Sequence, residues 1–481
     1  MLTQKHYILL GLSIFVGLFL GLTSYGILNN NEGLYAQIGW ETLNDNHWII
    51  PHLNGLPYIE KPPLLYWILA FSFKIFGKSL FAARLVPTIF GAGTILSWIW
   101  FGCQIQKKNL GFWSAFLLST SIGFLLFSRM VFFDIVLTFF MTAALFHFYL
   151  FYKKKSQKNL ILMWVFLAGA LMTKGFVALV LAGGVIGLFL IVEQKWSYFL
   201  KVLGPLGLAL FLALTVPWHW LAVCENPYFT WFYFVNEHVL RFLDLRIPKD
   251  YYTGSVFYYV PRLMAYLLPW SLLLPVLFYK NLSSIFTKKT NFFEAFKTGD
   301  SLLKFLGLWF FVFFAFFSVS RAKANYYLII AVPPLCGMLA WFVQDKLSKW
   351  IPWSVLAFNG LVIGSTIFII PKYESLVSTQ PYFKQHPYPE KFYYFRRFEE
   401  LSSFLFYAPG SMPIIENASR DFWFAEQHGY GKNIFLKELP MQVGANVVVL
   451  KRDWDDFETS YGKVTEPFYE GTGYKVFKVV G

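Results

Sequence analysis

The residues most able to do chemistry are a few acids, cations and imidazoles set in otherwise apolar sequence. Glu32 follows three asparagines, Asn29 to Asn31. Glu60 and Lys61 stand side by side ahead of Pro62 and Pro63. Asp134 comes five residues after Arg129. Asn236, Glu237 and His238 precede Arg241 and Phe242, and Arg321 lies close to Lys323. Six arginines occur before residue 350: Arg84, Arg129, Arg241, Arg246, Arg262 and Arg321. A guanidinium is a planar fork of donors that fits phosphate or carboxylate at two points. The set therefore suggests an anionic ligand. The plainer account is snorkelling at an interface with local ion pairs. Glu60 and Lys61, being adjacent, cannot share one helix face, so they are expected to serve different partners.

The elements that carry these residues are read from hydropathy. Of 481 residues, 57% are hydrophobic and only 14% are charged, against about 25% charged in a soluble domain. Mean hydropathy is +0.50. Such a chain has too little polar surface to cover itself in water, so a bilayer is its natural solvent. The 56 Phe, 18 Trp and 28 Tyr suit helix grooves and membrane interfaces. A net charge of +14 would suggest nucleic acid in a soluble protein. Here it is placed in cytoplasmic loops, and no nucleic acid is expected. Cys103, Cys224 and Cys336 have neither metal-like spacing nor a disulfide pattern.

The expected fold is a polytopic α-helical membrane protein of about eleven spans. Residues 7–28 form an uncleaved first span, with no small-residue cleavage site behind it. Further apolar runs fall near 80–104, 111–128, 135–152, 160–173, 176–192, 202–222, 263–279, 305–318, 326–343 and 353–370. Lysines share four loops: Lys107 with Lys108; Lys153, Lys154, Lys155 and Lys158; Lys280, Lys288, Lys289, Lys297 and Lys304; and Lys346 with Lys349. These alternate onto the side of the N-terminus, which the positive-inside rule makes cytoplasmic. All six arginines then face outward, and residues 371–481 lie outside.

Two outer loops are too long to be connectors. In the first, about 29–79, residues 33–45 read as a short amphipathic helix at the interface, capped by the asparagine run. Residues 64–77 read as a second helix in the membrane surface. The other long loop, 223–262, carries His238 and Arg241. Ionisable groups at membrane depth cost about 2.5–3.5 kcal/mol each on insertion scales, so structural ion pairs or a site must account for them.

Together these stretches resemble the bacterial branch of the GT-C protein O-mannosyltransferase superfamily, and within it the lipid A aminoarabinose transferase group. That family reads Asp-Glu-x-Arg-Tyr-Ala, Trp-x-x-Pro and Phe-Glu-Lys-Pro-Pro in its first outer loop. The matching residues here are Asn31 to Ala36, Trp48 to Pro51 and Ile59 to Pro63. Ala83-Arg84-Leu85, Arg129 to Asp134, Thr173-Lys174-Gly175, Pro217-Trp218, Glu237-His238 with Arg241-Phe242, Pro269-Trp270 and Ser320 to Tyr326 match further on. The resemblance covers roughly residues 7–350.

The resemblance implies a glycosyltransferase that moves a sugar from a polyprenyl-phosphate carrier to lipid A or another envelope acceptor, with inversion, at the periplasmic face of the inner membrane. Departing phosphate needs cations, and an acceptor oxygen needs a carboxylate. By position, Lys61 is expected to bind phosphate, with Arg84, Arg241 and Arg321. Glu60 and His238 match positions that hold a divalent ion, zinc, which carboxylate and imidazole suit. Asp134 matches an acidic position near the cavity, the alternative being an ion pair with Arg129. Tyr35 and Tyr58 are expected to line that cavity.

One departure bears on mechanism. The family's first-loop carboxylate, its catalytic base, aligns with Asn31, and the usual Arg is Leu34. Glu32 takes over, or Asp134 does, or the acceptor is an already ionised phosphate and Asn31 only hydrogen-bonds, or catalysis is weak or lost. A protein O-glycosyltransferase is the alternative enzyme. A transporter or a non-catalytic lipid-binding relative are the alternatives of another class. Two domains are expected: 1–370 in the membrane, and 371–481 as a small periplasmic α/β domain with strands at 412–416, 446–451 and 474–479 and helices at 393–406 and 418–427.

Overall fold

The computed structural model describes residues 3–249, 254–275, 299–344, 350–373, 376, 378–386, 391–408, 410–419 and 423–480. Lys280, Lys288, Lys289, Lys297, Lys346 and Lys349 lie outside them, as do residues 276–279 of one expected span.

The expected first span, 7–28, is helical only as far as Phe19, and the α-helix at the start of 263–279 ends at Tyr266; the other apolar runs fall mainly on helices. In chain order these are α1 (Gln4–Phe19), α2 (Asn31–Asn44), α3 (Leu64–Phe76), α4 (Leu80–Gln104), α5 (Lys108–Ser119), α6 (Ile122–Ser128), α7 (Phe133–Lys154), α8 (Gln157–Lys174), α9 (Val177–Val192), α10 (Tyr198–Val202) and α11 (Pro205–Glu225). A π-helical segment, Thr230–Leu240, follows. Then come α12 (Tyr259–Tyr266), α13 (Ser301–Val319), a 3₁₀ segment Asn325–Ala331 running into α14 (Val332–Val343), and α15 (Ile351–Gly364). Among the described residues, five helices are long and apolar enough to cross a bilayer, or six if α5 and α6, bent by 71°, form one broken span. α1, α9 and α15 are apolar but shorter. This is a multi-pass membrane protein.

The described chain divides into two compact units: residues 1–20 with 87–363, and residues 21–86 with 364–481. In the first, α7 is buried on nearly every face, and its Phe146 stacks on Phe101 at 4.0 Å. α11 instead exposes Leu206, Leu212, Leu214, Val216 and Trp220. An apolar helix left bare in this way suits lipid. Arg129 donates to the carbonyls of Gly17 and Leu20, 2.7 Å each, at the end of α1. A helix C-terminus has carbonyls without intrahelical partners, and a cation there satisfies them.

The second unit joins the first long loop to the C-terminal region. α2 is buried all round rather than amphipathic. Gly33 lets it approach closely, since a Cβ there would lie 2.5 Å from the Ser403 nitrogen. The asparagines do not cap it by side chain: Asn30 takes a positive φ of 63° and makes no side-chain cap bond. Strand β1 (His52–Leu53) pairs antiparallel with β2 (Leu56–Pro57) across Asn54-Gly55. Both turn residues have positive φ, the conformation for which Asn-Gly is favoured. Asn54 then exchanges two hydrogen bonds with the Met412 backbone, at 2.8 and 2.6 Å.

The C-terminal region adds strands β3 (Phe392–Phe395), β4 (Ile414–Ile415), β5 (Phe435–Leu436), β6 (Asn446–Leu450), β7 (Thr465–Gly471) and β8 (Tyr474–Val479), in the order β5-β4-β3-β6-β8-β7. β3 to β6 run parallel along one half, and β8 reverses direction against β6 and β7. Alternate residues Tyr393, Phe395, Val447, Val449, Phe477 and Val479 build one core with Phe457, which lies on helix Trp454–Tyr461. The expected helix over 393–406 is corrected. Its first residues are the fully buried strand β3; a 3₁₀ turn follows at Phe398–Leu401, and α-helix begins only at Ser402. A run of aromatics buried on both faces satisfies a central strand better than a one-faced helix.

Candidate functional site

In the second unit, Glu32 and Arg84 are both fully buried and meet in a two-point ion pair, each N–H to oxygen distance 2.9 Å. The other Arg84 donors go to the carbonyls of Leu22, Tyr25 and Gly26 at 2.7–2.8 Å. All five N–H groups of the guanidinium are therefore engaged. Glu32 also accepts the Leu28 N–H at 2.8 Å. The expectation that Glu32 serves as a base and Arg84 meets phosphate is revised on this geometry. A carboxylate clamped by guanidinium is poorly placed to take a proton, and a saturated guanidinium has no donor left. The pair braces the entry to α2, whose first residue is Asn31, half-buried.

Glu60 and Lys61 lie in a bend before α3. They were expected to serve separate partners, but they face each other: the Lys61 ammonium is 3.6 Å from the Glu60 carboxylate and 3.3 Å from its carbonyl. The helix-face argument fails because neither residue is helical. The Tyr58 hydroxyl donates to Glu60 at 3.2 Å. Tyr58 and Tyr35 both pack against Tyr66, with ring centroids 6.3 Å apart in each case, and both are buried. Glu41, on α2, was not singled out in the sequence. It accepts the Asn54 and Gly55 N–H groups at 2.8 and 3.1 Å. Burial pushes its carboxyl up to about 7. The Asn-Gly dipeptide was the local signal for that turn.

In the first unit, Asp134 at the start of α7 is 2% exposed. Its partner is Lys174, at 2.5 Å, and Arg129 bonds elsewhere. The Lys174 ammonium lies 4.3 Å from the Tyr327 ring centroid. Lys174 stood in the Thr-Lys-Gly stretch but carried no expected role. Glu237 accepts from Arg241 at 2.6 Å and from the buried Arg246 at 2.5 Å. Arg321 is exposed, while Lys323 is buried and donates to the carbonyls of Phe317 and Ser318 at 2.7 Å.

His238 lies in the π-helical segment. One ring nitrogen, Nδ1, meets the Tyr233 carbonyl at 2.6 Å, and Nε2 accepts the Phe176 N–H at 3.0 Å. That assigns the proton to Nδ1. The approach requires Gly175, where φ is +83° and a Cβ would come within 2.3 Å of Nε2. The residues expected to hold zinc therefore do not fit it. Both imidazole nitrogens are engaged by backbone, and Glu60 is held by Tyr58 and Lys61. Among the described residues no group of three His, Cys, Asp or Glu could hold a metal ion.

Residues 60–220 match the family described as dolichyl-phosphate-mannose-protein mannosyltransferase. The chain is similar to an undecaprenyl phosphate-α-4-amino-4-deoxy-L-arabinose arabinosyl transferase of Pseudomonas fluorescens, with 28% identity over 73% of this chain and 62% of that one. A Proteus mirabilis protein of the same name is 29% identical over 76% of this chain and 66% of its own length. The chain thus spans a little under two thirds of these curated relatives. In fold it is similar to the crystal structure of ArnT from Cupriavidus metallidurans bound to undecaprenyl phosphate. There the TM-score is 0.79 at 19% identity, covering 99% of this chain and 98% of the other.

Proposed function

We propose, from its likeness to membrane glycosyltransferases, that this chain transfers a sugar from a polyprenyl-phosphate carrier to lipid A or another envelope acceptor. The observation that carries the reading is the sequence likeness, across 73% of the chain, to arabinosyl transferases named for an undecaprenyl-phosphate sugar. The donor is then a lipid-phosphate-linked pentose, and transfer inverts the anomeric carbon. The chain crosses the inner membrane about eleven times with its N-terminus in the cytoplasm. Residues 371–481 form a periplasmic domain behind a transferase domain of residues 1–370.

Roles follow from charge. Phosphate is the ligand assigned by charge to Lys61, and likewise to Arg241 and to Arg321. Asp134 is the working carboxylate, and Lys174, 2.5 Å away, orients it. An acceptor that is itself a phosphate is already nucleophilic, so transfer requires positioning more than proton removal. Asn31 in the usual acid's place supports that acceptor. Tyr35 and Tyr58 wall the cavity. No metal enters this scheme.

The test is the full chain in proteoliposomes with radiolabelled undecaprenyl-phosphate aminoarabinose and lipid A. Label is expected in lipid A and is expected to vanish with Lys61→Ala. Intact lipid A modification in a deletion strain would sink the proposal. The family match over residues 60–220 favours one second reading, a protein acceptor, for which label would enter periplasmic proteins instead.

A further inference from the structure

One cation in the second unit belongs to none of the clusters above. Lys78 sits in the turn between α3 and α4. Its ammonium lies 5.3 Å from the Trp40 ring centroid and 5.1 Å from that of Phe406. Among the described residues it makes no hydrogen bond or ion pair. An ammonium has three protons to donate, and the ring faces of Trp40 and Phe406 do not accept them as oxygens would. Burial pushes it down to about 8, with Glu41 and Asp45 opposing.

The ammonium adjoins a groove of about 600 Å³ that Asn44, Ser79 and Tyr407 also line. That volume suits a small headgroup. Flanking Lys78 in the chain, Ile75 and Phe76 of α3 and Phe81 of α4 are exposed, and Phe76 packs edge-on against Phe81. An apolar rim next to a polar groove is the arrangement of a membrane surface, hydrocarbon on one side and headgroups on the other. The donors of the half-buried ammonium fit the oxygens of an anion in the groove, and the neighbouring apolar residues fit acyl chains.

We propose that the Lys78 groove is a binding site for the anionic phosphate headgroup of a membrane lipid, with Lys78 as its counter-charge and Trp40 and Phe406 as its walls. The site uses none of the residues assigned to sugar transfer. Its test reads occupancy rather than turnover, so it can fail while the transferase reading stands.

The probe is dioleoyl phosphatidylglycerol, radiolabelled and doped into neutral maltoside micelles holding the full chain. Saturable binding is expected. Lys78→Met should weaken it at least ~10-fold, equal to about 1.4 kcal/mol. Lys78→Arg should retain it, and Lys74→Met, which removes a nearby exposed charge, should bind as the parent does. Equal binding by Lys78→Met overturns the site. Displacement of the lipid by inorganic phosphate at the lipid's own concentration overturns the lipid assignment in favour of a free anion. Should Lys78→Met fail to fold, headgroup photo-crosslinking of the unaltered protein decides. Label on peptides carrying Trp40, Lys78 or Phe406 supports the site, and label confined elsewhere overturns it.

Discussion

Arg84 and Glu32, 52 positions apart, form a two-point ion pair at 2.9 Å with no solvent exposure on either side chain. The guanidinium also gathers three carbonyls of the segment leading to α2. Removing one partner of a buried pair leaves the other charged and unsatisfied, at a cost of about 3–5 kcal/mol. Arg84→Ala and Glu32→Ala should therefore each lower the melting temperature of the detergent-purified protein. The double variant should lose less than the sum, because the two residues act as one unit. An Arg84→Ala protein that melts like the parent but loses only carrier binding would restore Arg84 as a phosphate ligand.

Asp134 and Lys174 should behave as a functional pair. Asp134→Asn is expected to reduce turnover by up to about 10²-fold, the scale of a misplaced reactant, with KM little changed. Lys174→Met should give a smaller loss, since the carboxylate stays but the contact that orients it goes. Steady-state kinetics in proteoliposomes separates these outcomes. Full activity in Asp134→Asn would remove it from the mechanism.

Two groups outside the apolar spans give opposite pH slopes. Burial raises Glu41 to about 7 from the ordinary 4.5. Its folded form holds a proton that the unfolded chain has released, so this contribution falls as pH rises from 4.5 to 7. Burial beside His47 lowers His52 to about 4 from 6.5. There the unfolded chain binds more protons, so the contribution rises from pH 4 to 6.5. The two offset in the parent protein. Glu41→Gln should leave stability rising with pH between 4.5 and 6.5, and His52→Asn should leave it falling. Melting curves across that range check both signs.

His238 is predicted to be structural. Exhaustive chelation should change neither turnover nor melting temperature, and purified protein should hold well under one zinc per chain by elemental analysis. Gly175→Ala places a methyl against Nε2 at a positive-φ position. It should destabilise by about 1–3 kcal/mol. Stoichiometric zinc with loss of activity on chelation would contradict this assignment.

The sequence by itself determined that the chain lives in a bilayer, because a long apolar run records the length and polarity of its solvent directly. The acids and cations were also legible as a set, since charge in apolar sequence is conspicuous wherever it falls. Which charge meets which was not legible. Asp134 passes over Arg129, five residues away, for Lys174 at forty, and Glu60 bonds the neighbour that helical geometry would have denied it. Those choices depend on how helices cross and how the backbone bends. A carboxylate answers to whatever cation the packing brings within about 3 Å, where Coulomb and hydrogen-bond terms are steepest. Only the tertiary structure sets that distance, and so only it decided that Glu32 is a brace and Lys174 a partner.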